Sequence, residues 1–334
     1  MIVVTGAAGF IGSNVVATLN AEGVRDILAV DNAGIKEQTH NLDDLAITQF
    51  IDRDGLFAWL EKNARNVDAV VHMGACSDTT ETDRDYIMKV NFEYTCKLWE
   101  LCAKHKIRLV YASSAATYGD GSKGYSDTED PHRLTPLNLY GESKQRFDLW
   151  ALEQEFAPPG WAGLKFFNVY GPREQHKNRM ASVVFHFHRQ IEKTRMAKLF
   201  KSDHPDYKDG GQMRDFIYVK DVIAAVMHFL RAPITATPPG LVNVGTGVAR
   251  SYRDLALGIF QAMERAPKIE YVEMPADLKG RYQYHTQADI AKLRATGFKH
   301  TFHTLEEGVD DYVRKHLNTD SRQQHSDAFR SRRI

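Results

Sequence analysis

Short apolar runs alternate with longer amphipathic segments through the first half of the chain. The runs predict buried strands, and the segments with apolar residues at three- and four-residue spacing predict helices. The predicted strands are 1–4, 26–30, 67–72, 108–113 and 163–168, and the predicted helices are 10–19, 83–104 and 139–155. This alternation predicts an α/β fold built on a doubly wound parallel sheet.

The pattern changes after Gly171-Pro172, where the segments become shorter. Pro205 and Gly210-Gly211 mark a surface insertion, and the runs 215–219 and 240–244 are suited to return to the sheet. We predict a dinucleotide-binding domain over 1–170 joined by parts of 214–245, a smaller C-terminal α/β substrate lobe mainly over 171–316, and a flexible polar tail over 317–334.

The first predicted strand runs directly into a glycine-rich turn, Thr5-Gly6-Ala7-Ala8-Gly9-Phe10-Ile11-Gly12, and a helix follows. In this context glycines allow close approach to a pyrophosphate, which the helix N-terminus then faces. The alternative is a turn that serves helix packing only. Asp31, which ends the second strand where an acid is expected to bind a ribose, favours the dinucleotide site.

Tyr140 and Lys144 lie four residues apart and therefore share one face of a predicted helix. A neighbouring ammonium favours the phenolate, so we expect Lys144 to lower the pKa of Tyr140 and also to bind a ribose. Ser114 follows a strand and is placed to orient a substrate hydroxyl. A Tyr and a Lys at this spacing are more often a surface pair. Combined with the glycine turn, they predict hydride transfer between a nicotinamide and a carbon that bears a hydroxyl.

Composition narrows the class of protein. The chain has 334 residues with 43 basic and 43 acidic side chains, so the balance of charge argues against a nucleic acid or an anionic membrane as partner. No apolar run is long enough to span a membrane, and no signal peptide is evident, so we predict a cytoplasmic protein. Cys76, Cys96 and Cys102 lack metal-binding or disulfide spacing, and we predict no metal site.

The glycine turn, the segment Ser113–Gly119 and the pair Tyr140-x-x-x-Lys144 together resemble the extended short-chain dehydrogenase/reductases. The resemblance implies a Rossmann fold and, for most members, a nucleotide-sugar epimerase, dehydratase or reductase. Dehydratases of this family carry an Asp-Glu pair after the Ser or Thr, which moves protons during the loss of water. Ala115 and Ala116 occupy those positions here, which leaves epimerisation or simple redox.

Further motifs resemble the branch of this family that epimerises ADP-activated heptoses. They are Phe167–Lys177, Met180–Ser182, Lys279–Gln283 and Thr286–Asp289. The resemblance implies conversion of ADP-D-glycero-D-manno-heptose to its L-glycero epimer by oxidation and re-reduction at C6, for lipopolysaccharide core assembly, in a homo-oligomer. Two alternatives stay open. One is a UDP- or dTDP-hexose epimerase or reductase, and the other is a catalytically silent nucleotide-sensing protein.

The resemblance also implies roles for individual residues. Tyr140 and Lys177 are the two acid/base groups on opposite faces of the sugar, and Ser114 and Lys144 complete the catalytic set. His176 and Arg173 are the expected cationic neighbours that lower the pKa of Lys177. The implied substrate contacts are Ser114, Asn168, Arg173, His186, Phe200, Arg214 and Tyr282. Without the resemblance, Lys177 is an exposed loop lysine, and the alternative for His186 is a core histidine.

The resemblance implies a cofactor site as well. Its residues are Gly6, Gly9, Phe10, Ile11, Gly12, Asp31, Asn32, Lys36, Arg53, Met73, Gly74, Ala75, Cys76, Ser77, Asn91, Tyr140, Lys144, Val169 and Lys177. Asp31 by itself favours NAD, because a 2′-phosphate would meet like charge. The resembled enzymes keep the Asp31-Asn32 pair and use NADP with nearby lysines. This chain has Lys36 and Arg53 but carries Gln38 where relatives can have a lysine. We predict NADP over NAD.

Overall fold

A seven-stranded parallel sheet forms the centre of the protein in the computed structural model, which describes residues 1–34, 39–235, 237–275 and 283–318. The strands are β1 Ile2–Thr5, β2 Ile27–Asp31, β3 Gln49–Asp52, β4 Ala69–His72, β5 Arg108–Ser114, β6 Ala162–Phe166, β7 Asn168–Tyr170, β8 Ala197–Phe200, β9 Met213–Arg214, β10 Phe216–Tyr218, β11 Gly240–Val244, β12 Arg250–Ser251 and β13 Ile269–Val272. The order across the central sheet is β11-β6-β5-β4-β1-β2-β3.

Helices cover both faces of this sheet, so its inner strands have no side exposed to solvent. Strands in that position require apolar residues throughout, which explains why the apolar runs of the sequence form them. All four residues of β4 are buried, as are Ile27–Val30 of β2. From β1 the chain builds outward to β2 and β3 on one side, and to β4, β5 and β6 on the other. This reversal leaves a crevice at the carboxyl ends of β1 and β4, where ligands of such sheets bind. The predicted doubly wound fold is confirmed.

The helices connect the strands and cover the sheet. They are α1 Phe10–Ala21, α2 Leu56–Asn63, α3 Arg84–Ile87, α4 Tyr94–His105, α5 Leu139–Leu152, α6 Val183–Thr194, α7 Val219–Arg231, α8 Tyr252–Ala262, α9 Ala291–Ala295 and α10 Leu305–Tyr312. The helix predicted over 83–104 is confirmed, because α3, a wide helical turn over Met88–Glu93 and α4 follow one another without a break; the wider turn was not predicted. Insertions of this kind are frequent at functional sites.

Two predicted strands differ from the observed ones. The run 163–168 is interrupted at Phe167, so that β6 ends at Phe166 and β7 begins at Asn168. Of the two runs proposed to return to the sheet, 240–244 forms the edge strand β11 beside β6. The other forms β10, which pairs with β7 in a separate two-stranded sheet.

The later part of the chain forms a small α/β lobe with two further strand pairs, β8 with β13 and β9 with β12. The proposed boundary at residue 170 stays a prediction, and residues 319–334 of the predicted tail lie outside the described part of the chain. Among the described residues, no helix has both the length and the apolar character that crossing a bilayer requires.

Candidate active site

The glycine turn after β1 is shaped by close backbone contacts. Gly6 has a φ of +63°, and a Cβ there would lie 2.6 Å from the backbone nitrogen of Gly74 in the loop after β4. A Cβ on Gly12 would overlap the carbonyl of Gly6. Helix α1 begins at Phe10, and its N-cap residue is Gly9. Gly9 has no side chain to accept hydrogen bonds from the first backbone N–H groups of the helix, and no acidic residue lies in the first turn. The amide groups of this turn are therefore available to an anion such as a pyrophosphate.

Asp31 at the end of β2 holds this turn. One carboxylate oxygen accepts a hydrogen bond from the backbone N–H of Ala8 at 2.9 Å, and the other accepts from Asn32 at 2.8 Å. Burial raises the pKa of Asp31, while these backbone donors and the charge of Arg53 oppose the rise. The close-packed glycines, the uncapped helix start and an acid at the end of β2 fit a dinucleotide.

Asn91 clamps the loop after β4 to helix α5. Its side-chain oxygen accepts from the backbone N–H of Cys76 at 2.8 Å, and its amide donates to the Cys76 carbonyl at 2.9 Å and to Ser143 Oγ at 2.9 Å. Asn91 lies in the wide turn between α3 and α4, which places it for this contact. Burial raises the pKa of the Cys76 thiol, which argues against a nucleophilic role.

Tyr140 and Ser114 come together because α5 begins against the turn that follows β5. Asn138 caps the helix by accepting from the backbone N–H of Gly141 at 2.8 Å. A Cβ on Gly141 would lie 2.8 Å from the carbonyl oxygen of Ala116, so the two elements are in close contact. The Ser114 side chain is close enough to the Tyr140 phenol to act on its pKa. Both polar groups thus lie at the carboxyl end of β5, beside the crevice.

The pKa of the Tyr140 phenol differs from the prediction. Burial raises the pKa of Tyr140, and the nearby Ser114 side chain only partly opposes that rise. Lys144 Nζ lies 6.0 Å from the centre of the Tyr140 ring and donates to the carbonyl of Ala112 at 2.9 Å. Burial lowers the pKa of Lys144 to about 8. The expectation that Lys144 lowers the pKa of Tyr140 is wrong for the protein alone, because desolvation of the phenolate is the largest effect.

Lys177 lies in the loop between β7 and α6, which a buried acid shapes. Glu174 accepts from the backbone N–H and the hydroxyl of Ser182, at 2.5 and 2.7 Å, and from the N–H of Gly171 at 3.3 Å. Lys177 Nζ lies 5.7 Å from the centre of the Phe10 ring, beside the glycine turn. Burial lowers the pKa of Lys177, as a basic role requires.

The expected cationic neighbours of Lys177 do not cause this shift. Arg173 forms a two-pronged ion pair with Asp44, at 3.0 and 2.6 Å, and also donates to the Asn41 carbonyl. Burial and the charge of Lys177 lower the pKa of His176, so the imidazole is neutral near pH 7. The prediction that the positive charges of these two residues lower the pKa of Lys177 is wrong. The burial of Lys177 itself lowers that pKa.

The implied substrate contacts are spread over several elements. His186 is exposed on α6, which excludes the core-histidine alternative, and the buried histidine of that helix is His188. Arg214 is buried on β9, with its guanidinium 5.7 Å from the Tyr252 ring centre. Asn168 is exposed at the start of β7, and Phe200 is half-buried at the end of β8. Their roles as substrate contacts stay predictions. Tyr282, Lys36 and Gln38 lie outside the described residues.

A buried ion pair beneath the site was not predicted from the sequence. Lys165 on β6 donates to Asp148 on α5 at 2.8 Å, and the two side chains are 2% and 0% exposed. Asp148 also accepts from Tyr111 at 3.0 Å and from Ser113 at 2.6 Å. The pair therefore links the helix of Tyr140 to the strand end that carries Ser114. The only signal in the sequence is one lysine within an apolar strand and one acid on a buried helix face.

Comparisons with known proteins agree with this geometry. The sequence profile of the NAD dependent epimerase/dehydratase family matches residues 2–245. An ADP-L-glycero-D-manno-heptose-6-epimerase of Fusobacterium nucleatum is 49% identical over 328 residues, which cover 95% of this chain and 98% of that enzyme.

Solved structures are similar over the same length. A Helicobacter pylori ADP-L-glycero-D-manno-heptose-6-epimerase superposes with a TM-score of 0.76 at 29% identity, covering 93% of this chain and 94% of that one. The Thermus thermophilus UDP-glucose 4-epimerase, in complex with NAD, gives a TM-score of 0.73 at 26% identity over 93% of this chain and 97% of that one. The resemblance predicted from the motifs is confirmed. The chain belongs to the NAD dependent epimerase/dehydratase family.

Proposed function

We propose that the protein interconverts ADP-D-glycero-D-manno-heptose and ADP-L-glycero-D-manno-heptose, by oxidation of C6 to a ketone followed by reduction from the opposite face. The observation that carries the proposal is the 49% identity with an enzyme of that name over 95% of this chain. Ala115 and Ala116, which follow Ser114, provide no group to remove and deliver the protons of a dehydration.

The glycine turn and the loop after β4 fit a nicotinamide dinucleotide, which would supply the hydride acceptor and donor. The residues that would hold it are the amides of the first turn of α1, the Asp31 region and the Asn91-clamped loop. Tyr140 and Ser114 are placed for the proton transfer on one face of the sugar. Ser114 Oγ orients the C6 hydroxyl, and the Tyr140 phenolate, whose formation burial opposes in the protein alone, accepts the hydroxyl proton during oxidation. During reduction from the opposite face the Lys177 ammonium gives a proton to the ketone oxygen, and exchange with solvent restores both groups.

The opposite face requires a second group, because the keto sugar must turn before it is reduced. Lys177 meets the chemical requirement, since burial lowers its pKa and thereby raises the fraction of neutral amine at physiological pH. Its contact with Phe10 holds the ammonium beside the start of α1. Glu174 maintains the shape of the loop that carries it.

The experiment that tests this function is epimerisation followed by NMR. The purified protein, with no cofactor added, is expected to bring either ADP-heptose epimer to the same equilibrium mixture with no net redox change. UDP-glucose and dTDP-glucose, supplied in parallel, are expected to remain unchanged. Turnover of either hexose without turnover of ADP-heptose would contradict the proposal and favour the alternative epimerase.

For the cofactor we propose NADP rather than NAD. The carboxylate oxygens of Asp31 accept from the backbone of Ala8 and Asn32, so they hold the turn as well as facing the ribose region. Arg53 is close enough to act on the charge of Asp31, and its side chain is 33% exposed. A guanidinium in this position suits a 2′-phosphate.

Replacing Arg53 with Ala is expected to weaken NADP binding by about 1.5–3 kcal/mol, the contribution of a hydrogen bond to a charged group. NAD binding should stay nearly unchanged, because NAD has no 2′-phosphate. Calorimetry on cofactor-depleted protein measures both affinities, and Arg65→Ala, at an exposed arginine outside the site, is the matched control. Equal losses for NADP and NAD, or release of NAD from the purified wild type on denaturation, would contradict the assignment.

A further inference from the structure

Two histidines meet one buried carboxylate outside the residues assigned to catalysis. Asp221 lies in the first turn of α7 and is fully buried. Its Oδ1 is 2.7 Å from His300 Nε2 and 2.7 Å from His303 Nδ1, and both histidines belong to the segment that precedes α10. The three potential ligand atoms lie within 4.8 Å of one another. The sequence did not predict this cluster, because Asp221 lies 79 residues before His300.

The carboxylate is fixed in place, whereas the imidazoles have room to adjust. Asp221 Oδ2 accepts from the backbone N–H of His303 at 3.0 Å, which leaves Oδ1 to face both rings. Each histidine side chain is 34% exposed. Arg294 donates to the carbonyl of His300 at 2.7 Å and so anchors the segment through its backbone. The two imidazole rings can therefore move away from the fixed Asp221 carboxylate. Such a movement widens the spacing between the three ligand atoms from hydrogen-bond distance to the spacing found around a metal ion.

The negative charge for a cation comes from Asp221 itself, because Glu306 is paired with Arg250, and Asp311 with Lys220 and Lys315. Asp221, Glu306 and Asp311 are all close enough to act on the buried Tyr170 phenol and raise its pKa. The neighbouring Lys220 is paired with Asp311 at 2.6 Å, so its charge is already balanced. His300 also lines a surface groove of about 770 Å³ between α1 and α7, which gives an ion and its water ligand a path to the cluster.

We infer that Asp221, His300 and His303 form a site for a divalent transition metal, with Zn²⁺ as the best match. Two imidazoles and one carboxylate are a common zinc ligand set, and zinc is usually four-coordinate. Water from the groove completes the coordination. Because the site lies on the α7–α10 side of the molecule, apart from Tyr140 and Ser114, its role is to hold the segment 297–304 against α7.

Metal binding changes the tautomers but not the number of protons on neutral rings. His300 Nε2 and His303 Nδ1 each donate a hydrogen to Asp221 Oδ1 in the metal-free arrangement. On coordination these nitrogens give their lone pairs to the metal, and the proton of each ring moves through solvent to its other nitrogen. A neutral imidazole keeps its one proton on the nitrogen that does not bind the metal, so coordination by neutral rings releases no net protons.

The test is a titration of the tag-free full-length protein with Co²⁺ and then Zn²⁺. Co²⁺ is expected to give the intense visible bands of four-coordinate cobalt at one equivalent, and Zn²⁺ to displace it. Zn²⁺ should also raise the melting temperature, because it binds the folded state alone. The double variant His300→Gln/His303→Gln keeps hydrogen-bond donors to Asp221 but lacks imidazole ligands, so it is expected to lose Zn²⁺ affinity by at least about 100-fold.

His228→Ala is the matched control, because His228 lines the same groove, bonded to Thr296 at 2.9 Å, but does not face Asp221. It should bind Co²⁺ and Zn²⁺ as the wild type does. The inference is overturned if the wild type binds no metal, or if the double variant binds it equally well. A melting temperature that Co²⁺ and Zn²⁺ leave unchanged in the wild type, together with a loss of metal-free stability in His300→Ala that the Gln variant does not show, would identify the cluster as a hydrogen-bond latch and would also overturn the inference.

Discussion

Replacing Tyr140 with Phe is expected to lower the turnover of ADP-heptose by about 10²–10⁴-fold, the contribution of a positioned proton-transfer group. The ring keeps its place at the start of α5, and only the oxygen that meets Ser114 is removed. The free energy of unfolding should therefore change by no more than about 1 kcal/mol, since at most a single hydrogen bond is lost. NMR measures the rate of epimerisation, and thermal melting measures the stability.

Tyr86→Phe is the control for this substitution, because Tyr86 lies on α3 and its side chain is 40% exposed. Its turnover should equal that of the wild type. Near-wild-type turnover in Tyr140→Phe would remove Tyr140 from the proton transfer. Lost turnover together with a large drop in melting temperature would instead indicate a structural role for the phenol.

The central sheet could be predicted because its strands have a strong local signature. A parallel strand covered by helices on both faces is a continuous apolar run, as in Ala69–Val71 and Ile27–Val30. The break at Phe167 could not be read in this way, since 163–168 is apolar except for Lys165 and Asn168. The chain turns there because Phe167 donates to Val244 on β11, whereas Asn168 donates to Asp215. Both partners are distant in sequence.

The motifs of the candidate site were visible in the sequence because each is local. Tyr140 and Lys144 are one helical turn apart, and the glycine turn occupies a single segment. The supporting contacts were not visible because they join distant segments. Arg173 and Asp44, for example, are 129 residues apart. The sequence also places a lysine near Tyr140 without showing how deeply the phenol is buried, and burial determines the direction of the pKa shift.

The largest expected loss of stability comes from the ion pair beneath the site. Replacing Lys165 with Met keeps most of the side-chain volume but leaves the Asp148 carboxylate buried without its cation. Breaking a buried pair in this way costs about 3–5 kcal/mol, because the charge of nearby Lys144 only partly compensates the carboxylate that remains. The hydroxyls of Tyr111 and Ser113 still donate to Asp148, but neither carries charge. Urea denaturation measures the change in the free energy of unfolding.

The exposed pair of Lys198 and Glu270 is the matched control for Lys165→Met. Its atoms are 3.5 Å apart and its side chains are 45% and 46% exposed, so Lys198→Met should cost no more than about 1 kcal/mol. The double variant Lys165→Met/Asp148→Leu also removes the unpaired carboxylate, so it should recover much of the free energy of unfolding that Lys165→Met loses. If Lys165→Met costs no more than Lys198→Met, the pair does not stabilise the junction of β5, β6 and α5. The placement of Ser114 beside Tyr140 would then depend on the backbone contact between Gly141 and Ala116.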